Sequence, residues 1–145
     1  ITKKMKSEEK LLISKIPVLK KLLLKSDKFT KEGIKRNIIP PTFKHLNFIY
    51  NLVKKNKRIS SLEFGVGWSS LVISKALDEN KKKYFYKSLF LKRIFKDNLF
   101  MNYVIDAEKK YLKIFKNFSN KTELKNIRFK KILGQYMLKK NSIVA

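Results

Sequence analysis

The alternation of strand-like and helix-like patterns constrains the fold of this chain more than any other feature of its sequence. Short apolar runs alternate with stretches in which apolar residues recur at helical spacing. The predicted strands span 58–64, 100–105 and 127–133, and the predicted helices span 68–79 and 107–118. Strands that alternate with helices form parallel sheets, because each helix returns the chain to the start of the next strand. The sequence therefore predicts an α/β fold with a partial parallel sheet of about three strands.

The sequence before the first predicted strand indicates helices. Leucine and isoleucine recur at helical spacing over residues 4–25, and Pro17 is expected to kink or split that helix. Thr42 is predicted to cap a second helix over 43–56, because its hydroxyl can accept a backbone hydrogen bond at the helix start.

Residues 26–42 contain turn residues and are predicted to form a loop, in which Gly33 permits a positive φ. Residues 87–95 are predicted to be helical within a basic, aromatic connection. These patterns divide the chain into an N-terminal helical segment, 1–57, and a segment of alternating strands and helices, 58–145.

The composition excludes several functional classes. The chain has 145 residues, 43% of them hydrophobic, with 4 Gly and 3 Pro, so a disordered or collagen-like chain is excluded. Zero cysteines exclude disulfides and thiolate catalysis, and a single histidine, His45, excludes a His-rich metal centre. No run approaches the ~18 apolar residues of a membrane span, and the charged N-terminus is not a signal peptide. We expect no transmembrane segment and a cytoplasmic location.

The positive charge has two interpretations. Lys and Arg total 36 against 11 Asp and Glu, which gives a net charge of +25, but only 4 of the basic residues are Arg. Lys, Asn, Ile and Phe share AT-rich codons, so part of the charge reflects coding bias and a solvated lysine surface. The run 81–87 interleaves lysine with aromatic residues, as proteins that bind single-stranded nucleic acid do. A non-enzymatic RNA- or DNA-binding module is therefore the alternative function.

The segment after the first predicted strand has the chemistry of a ligand site. The strand carries Glu63 near its end, Gly65 and Gly67 form a tight turn, and Ser69 can cap the helix that follows. Glycines at such a turn let a ligand approach the backbone closely. A third glycine of the dinucleotide-binding pattern is absent, and a carboxylate would repel a diphosphate. The segment therefore favours a cationic ligand.

This segment resembles the first motif of the class I, Rossmann-like S-adenosylmethionine-dependent methyltransferases, matched by Leu62-Glu63-Phe64-Gly65-Val66-Gly67. Tyr103-Val104-Ile105-Asp106 matches the second strand of that family, which ends in an acid. The resemblance implies a partial Rossmann-like sheet and S-adenosylmethionine as cofactor. It places Glu63 near the methionine amino group of the cofactor, and Gly65 and Gly67 along it.

By the same resemblance Asp106 binds the ribose of the cofactor, and Trp68 and Ser69 complete the cofactor site. Two of these residues have a structural alternative: Asp106 would serve as a helix cap, and Trp68 would pack in the core. His45 is interpreted as a partly buried structural histidine rather than a catalytic residue. No catalytic residue is named.

The chain departs from the family at its ends. It stops near the third predicted strand, no clear acid follows Leu133, and it begins with Ile. We therefore expect a fragment or a degraded copy of a longer methyltransferase, inactive and marginally stable alone. The expected methyl acceptor is a small molecule or RNA, and the oligomeric state is left open.

Overall fold

The computed structural model describes residues 7–24, 28–36, 39–84 and 99–131, and the helix predicted over 87–95 lies outside them. The described part is an α/β structure with a three-stranded parallel sheet in the order β1-β2-β3. The strands are β1 (Ser60–Phe64), β2 (Met101–Asp106) and β3 (Ile127–Lys131). This confirms the predicted fold class, a partial Rossmann-like sheet with crossover helices after N-terminal helices.

Helices precede and connect the strands. The helices before the sheet are α1 (Ser7–Lys15), α2 (Lys20–Leu24), α3 (Lys28–Lys35) and α4 (Phe43–Lys55). The connections are made by α5 (Trp68–Tyr84), α6 (Lys109–Phe118) and the short α7 (Lys121–Leu124). None of the helices in the described ranges is both long enough and apolar enough to cross a bilayer.

The N-terminal segment confirms one local prediction and corrects another. Pro17 splits the first helix, because a 3-10 turn over Pro17–Leu19 separates α1 from α2. The prediction of a loop over 26–42 was wrong for α3, in which Gly33 is helical rather than at positive φ. The helix forms there because tertiary contacts hold it: Thr30 is buried, and Glu32 accepts a 2.6 Å ion pair from Lys110 of α6.

The two faces of the sheet differ in burial. Both crossovers step across the sheet in the same direction, so right-handed connections place α5 and α6 on one face. Val104 and Ile127 are buried on that face. Leu62 and Phe64 point to the other face and are 59% and 74% exposed. The prediction of a buried first strand was therefore wrong.

One hydrophobic core joins the N-terminal helices to the sheet. Leu12 of α1, Leu46 of α4, Leu71 of α5 and Val104 of β2 belong to one cluster of buried side chains. The division of the chain at residue 57 stays a prediction, but α4 packs directly on α5. This packing holds the start of α4 beside the carboxyl ends of the strands, where parallel sheets bind ligands.

A polar cluster fixes the angle between three helices. Glu79 of α5 accepts a hydrogen bond from Tyr50 and an ion pair from Lys54 at 3.0 Å, both of α4, and an ion pair from Lys15 of α1 at 3.5 Å. Partial burial alone would raise the pKa of Glu79, but the hydrogen bonds and the lysine charges outweigh it and lower that pKa. Burial and the contact with Glu79 raise the pKa of Tyr50.

We predict that Glu79→Gln lowers the free energy of unfolding at neutral pH by about 1–3 kcal/mol, because it weakens hydrogen bonds to a charged group. An acid with a lowered folded pKa stabilises fully above its unfolded pKa, and that contribution is lost as the pH falls through the folded pKa. The difference between parent and variant in urea denaturation should therefore shrink below about pH 4.5.

The matched control is Glu8→Gln, which changes an exposed glutamate in the first turn of α1. It should alter the free energy of unfolding by about 0.5 kcal/mol or less. A Glu79→Gln difference that stays constant from neutral pH to about pH 3 would contradict the role assigned to the cluster.

Candidate functional site

A glycine turn, residues 65–67, connects β1 to α5. Gly65 has φ +88°, a backbone conformation that residues with a side chain rarely adopt. Its N–H donates to the carbonyl of Ile105 at 2.7 Å. The N–H of Gly67 donates to the hydroxyl of Ser70 at 3.0 Å, which closes the turn against the first turn of α5. Gly65 is therefore required by the backbone, whereas Gly67 keeps an ordinary φ.

Asp106 ties this turn to the end of β2. Its Oδ2 accepts the N–H of Val66 at 2.8 Å, and its Oδ1 accepts the N–H of Glu108 at 2.7 Å. The side chain is 8% exposed. Asp106 is not the cap residue of α6, because that position belongs to Glu108. Each carboxylate oxygen has room for a second hydrogen bond, so Asp106 can hold the turn and still accept from a ligand.

Glu63 lies behind the turn. Its carboxylate accepts hydrogen bonds from the hydroxyl of Ser69 and, at 3.1 Å, from the side-chain amide of Asn102. Burial raises the pKa of Glu63, and the hydrogen bonds from Ser69 and Asn102 offset only part of that effect. Asn102 is fully buried and also accepts from Ser61 at 2.8 Å. The amide therefore joins β1 to β2 and orients Glu63.

The contact between Ser69 and Glu63 sets what Ser69 can offer to a ligand. A serine hydroxyl has one hydrogen to donate, and Ser69 donates it to Glu63. The lone pairs of the Ser69 oxygen then remain for a ligand, with the carboxyl group of Glu63 behind them. Such an oxygen is suited to a donor, above all to an ammonium group.

A cavity of about 440 Å³ opens over the glycine turn. Its floor comes from the ends of β1 and β2, and its other walls come from α3, the segment before α4, α4 itself and α6. The lining residues are Thr30, Gly33, Ile39, Pro40, Pro41, His45, Leu46, Ile49, Gly65, Val66, Gly67, Trp68, Ser69, Asp106, Glu108 and Tyr111. The volume is typical of a small-molecule or cofactor site.

The charge of this cavity differs from that of the chain. The chain carries 36 Lys and Arg, yet none lines the cavity within the described ranges. Two carboxylates do line it, those of Asp106 and Glu108. The acid–serine pair Glu63–Ser69 adds a further hydrogen-bond acceptor, the Ser69 oxygen. Anionic ligands therefore find no cationic partner among Lys and Arg there, whereas cationic ligands and hydroxyl donors find acceptors.

Five of the six predicted cofactor residues lie on one wall of the cavity: Gly65, Gly67, Trp68, Ser69 and Asp106. The sixth, Glu63, is not among the lining residues and reaches the cavity only through Ser69. Trp68 lines the cavity and also packs in the core, because it is 3% exposed and its ring centroid lies 5.3 Å from that of Phe118. Its contact with a cofactor stays a prediction.

The sequence analysis missed the opposite wall. Thr30 and Gly33 of α3 and the Pro40-Pro41 pair lie across from the glycine turn, in a region predicted to be loop. Asn102 was also missed, although an asparagine inside an apolar strand is a signal, because buried amides need partners. Nothing in the sequence alone places α3 beside β1.

His45 differs from its prediction. It was expected to be a partly buried structural residue, but its side chain is exposed and lines the cavity. The backbone explains the position: Thr42 Oγ1 accepts the N–H of His45 at 3.2 Å, which fixes the first turn of α4. The buried face of α4 is made by Phe43, Leu46, Tyr50 and Val53. His45 therefore belongs to the site and not to the core.

Comparison with known family models gave no match, and comparisons with curated proteins and with solved structures gave none either. The resemblance to methyltransferases therefore stays a hypothesis. Across the described ranges, no group of three or more His, Cys, Asp or Glu side chains is placed to hold a metal ion.

We predict that Glu63 gives the parent a pH dependence that Glu63→Gln lacks. An acid with a raised folded pKa contributes stability below its unfolded pKa, and that contribution is lost as the pH rises through the folded pKa. Urea denaturation from about pH 4 to pH 8 should show the parent losing stability relative to Glu63→Gln as the pH rises. Parallel curves for the two proteins would contradict the buried position of Glu63.

Proposed function

We propose that this chain binds S-adenosylmethionine in the cavity over the glycine turn and belongs to a methyltransferase. The observation that supports this proposal is the chemistry of the wall: hydrogen-bond acceptors and carboxylates, without Lys or Arg, in a chain with net charge +25. S-adenosylmethionine has a cationic amino group, a cationic sulfonium and two ribose hydroxyls. Those are the groups that such a wall accepts.

The residues present fit that ligand. Asp106 keeps acceptor capacity for ribose hydroxyls beyond its bonds to Val66 and Glu108. Ser69, backed by Glu63, would accept from the methionine amino group. A Cβ added at Gly67 would meet nothing closer than the Ser69 hydroxyl at 3.9 Å, so the space beside this glycine is open. Apolar side chains of the opposite wall would cover the base.

When bound, S-adenosylmethionine supplies a methyl group on a positively charged sulfur. The residues of this chain would bind and orient the two reactants, which can contribute a large part of such a rate enhancement. The methyl acceptor, a small molecule or RNA, and the cytoplasmic location stay predictions from the sequence.

The same wall argues against nucleoside di- and triphosphates. Phosphate sites use Lys, Arg or a glycine-rich turn whose free N–H groups point at the ligand. In the glycine turn, the N–H groups of Gly65, Val66 and Gly67 donate to Ile105, Asp106 and Ser70. The three donors of the turn itself are therefore engaged.

We predict that Gly67→Ala weakens S-adenosylmethionine binding by at least ~tenfold, about 1.4 kcal/mol, with the free energy of unfolding changed by about 0.5 kcal/mol or less. The fold tolerates the methyl group, because the space beside Gly67 is open and its φ is ordinary. A cofactor bound against Gly67 would clash with this methyl group. Calorimetry gives the affinity, and urea denaturation gives the stability.

The matched control is Lys82→Ala, near the opposite end of α5, where Lys82 is exposed and pairs with Asp78 at 2.9 Å. The affinity of Lys82→Ala for S-adenosylmethionine should equal that of the parent. No binding to the parent would overturn the proposed function. If the parent and Gly67→Ala bound S-adenosylmethionine with equal affinity, the glycine turn would not be in contact with the bound ligand.

A second candidate function is binding of single-stranded nucleic acid away from the cavity. The ammonium groups of Lys57 and Lys83 lie 5.8 Å and 5.5 Å from the ring centroid of Tyr84. Aromatic rings flanked by lysines stack bases and contact phosphates in such proteins. Lys83 and Tyr84 belong to the run 81–87 that the sequence analysis singled out, and Lys57, just after α4, joins them.

If this second function holds, filter binding of single-stranded RNA should weaken steeply with salt, and the double variant Lys57→Gln/Lys83→Gln should reduce the salt slope by about 1–2. The control is Lys109→Gln/Lys113→Gln, which removes two exposed lysines of α6. Equal loss in both double variants would indicate attraction to the overall charge rather than to the Tyr84 cluster.

A further inference from the structure

His45 lines the cavity but takes part neither in the glycine turn nor in the proposed contact with the ribose. It lies on the first turn of α4, exposed, and it lines the same cavity as Gly67 and Ser69. The cap from Thr42 fixes the backbone at this turn, and the buried Leu46 anchors the next residue. The backbone that carries the imidazole is therefore held in place.

His45 shares the cavity with groups from three other elements, of which the carboxylate of Glu108 could also accept a proton. The end of β2 contributes Asp106, whose two oxygens hold backbone N–H groups. The start of α6 contributes Glu108 and Tyr111, and α3 contributes Thr30 and Gly33, which carry no charge. An imidazole is the side chain whose ordinary titration lies near neutral pH.

We infer that His45 takes the proton of the methyl acceptor in the proposed transfer, an inference that rests on the proposed function. A lone pair on an oxygen or nitrogen of the acceptor forms the bond to the methyl carbon as the carbon–sulfur bond breaks, and sulfur keeps that electron pair. The acceptor's proton passes to the neutral imidazole of His45, which later releases it to water. Atoms and charge balance, because the positive charge of the sulfonium ends on the imidazolium.

The charge arrangement supports this assignment. A proton acceptor must be neutral before the reaction, and a cationic sulfonium in the same cavity disfavours a second positive charge. After the transfer the sulfonium charge is gone, and the carboxyl groups of Asp106 and Glu108 line the same cavity. The inference therefore requires a neutral His45 with the methyl donor bound and a protonated His45 after the transfer.

The test uses the fact that the chain has one histidine, so its ring signals in a proton NMR spectrum belong to His45. The ring signals of an imidazole move with its protonation state, so a pH titration of these signals, without ligand and with each ligand, measures the protonation of His45 directly. S-adenosylmethionine should move the signals toward those of neutral imidazole. S-adenosylhomocysteine lacks the sulfonium charge. It should therefore shift the His45 ring signals less toward those of neutral imidazole than S-adenosylmethionine does, or shift them toward those of the protonated form.

Calorimetry on the same samples separates the two hypotheses. If both ligands bind and the His45 signals do not move, or move identically, the inference is overturned while the proposed function stands. If neither ligand binds, the proposed function fails, and the inference fails with it. His45→Gln should bind S-adenosylmethionine within about twofold of the parent, because His45 is assigned to the acceptor and not to the cofactor.

The control for general ligand effects is Asn117→His, which adds an exposed histidine near the end of α6 opposite to Glu108. Its ring signals should stay constant on addition of either ligand. Equal movement of both histidines would indicate a change of the whole protein or of the solution, and would overturn the inference.

Discussion

The two hydrogen bonds accepted by Asp106 are the interaction on which the site depends. One joins the glycine turn to the end of β2, and the other fixes the start of α6. Without this carboxylate, the N–H of Val66 and the N–H of Glu108 would lose their partner, at a cost of about 1–3 kcal/mol for the buried N–H of Val66 and less for that of the exposed Glu108. The floor of the cavity and one of its walls are therefore held by one side chain, which still has acceptor capacity for a ligand.

The distribution of charge gives this site its chemistry. Several acids of the described residues connect elements of the fold: Glu79 joins three helices, Glu32 joins α3 to α6, and Glu63 lies behind Ser69. The partly buried Lys15 and Lys54 pair with Glu79, and the cavity walls contain neither Lys nor Arg in the described part of the chain. A chain of net charge +25 thus contains a cavity suited to cations, and the total charge alone would have suggested the opposite ligand.

Local patterns predicted the elements of this fold, and long-range packing decided the rest. The strand–helix alternation, the break at Pro17 and the cap at Thr42 follow from periodicity and side-chain chemistry within a few residues. The glycine turn between β1 and α5 was also predicted from neighbouring residues alone. The α3 helix, the exposure of Phe64 and the position of His45 depend on which elements meet in space. Helical spacing does not show which elements pack together, and neither does a single polar residue such as Asn102 in an apolar strand, so one sequence alone could not predict these contacts.

Ligand selectivity tests the account most directly, because the central claim is that the cavity accepts cationic donors and does not accept phosphates. In a calorimetric competition, the parent chain is titrated with S-adenosylmethionine in the absence and in the presence of adenosine diphosphate, which shares the adenosine but carries phosphates. The account predicts that S-adenosylmethionine binds and that adenosine diphosphate neither binds nor displaces it. Binding of adenosine diphosphate with displacement of S-adenosylmethionine would contradict the account.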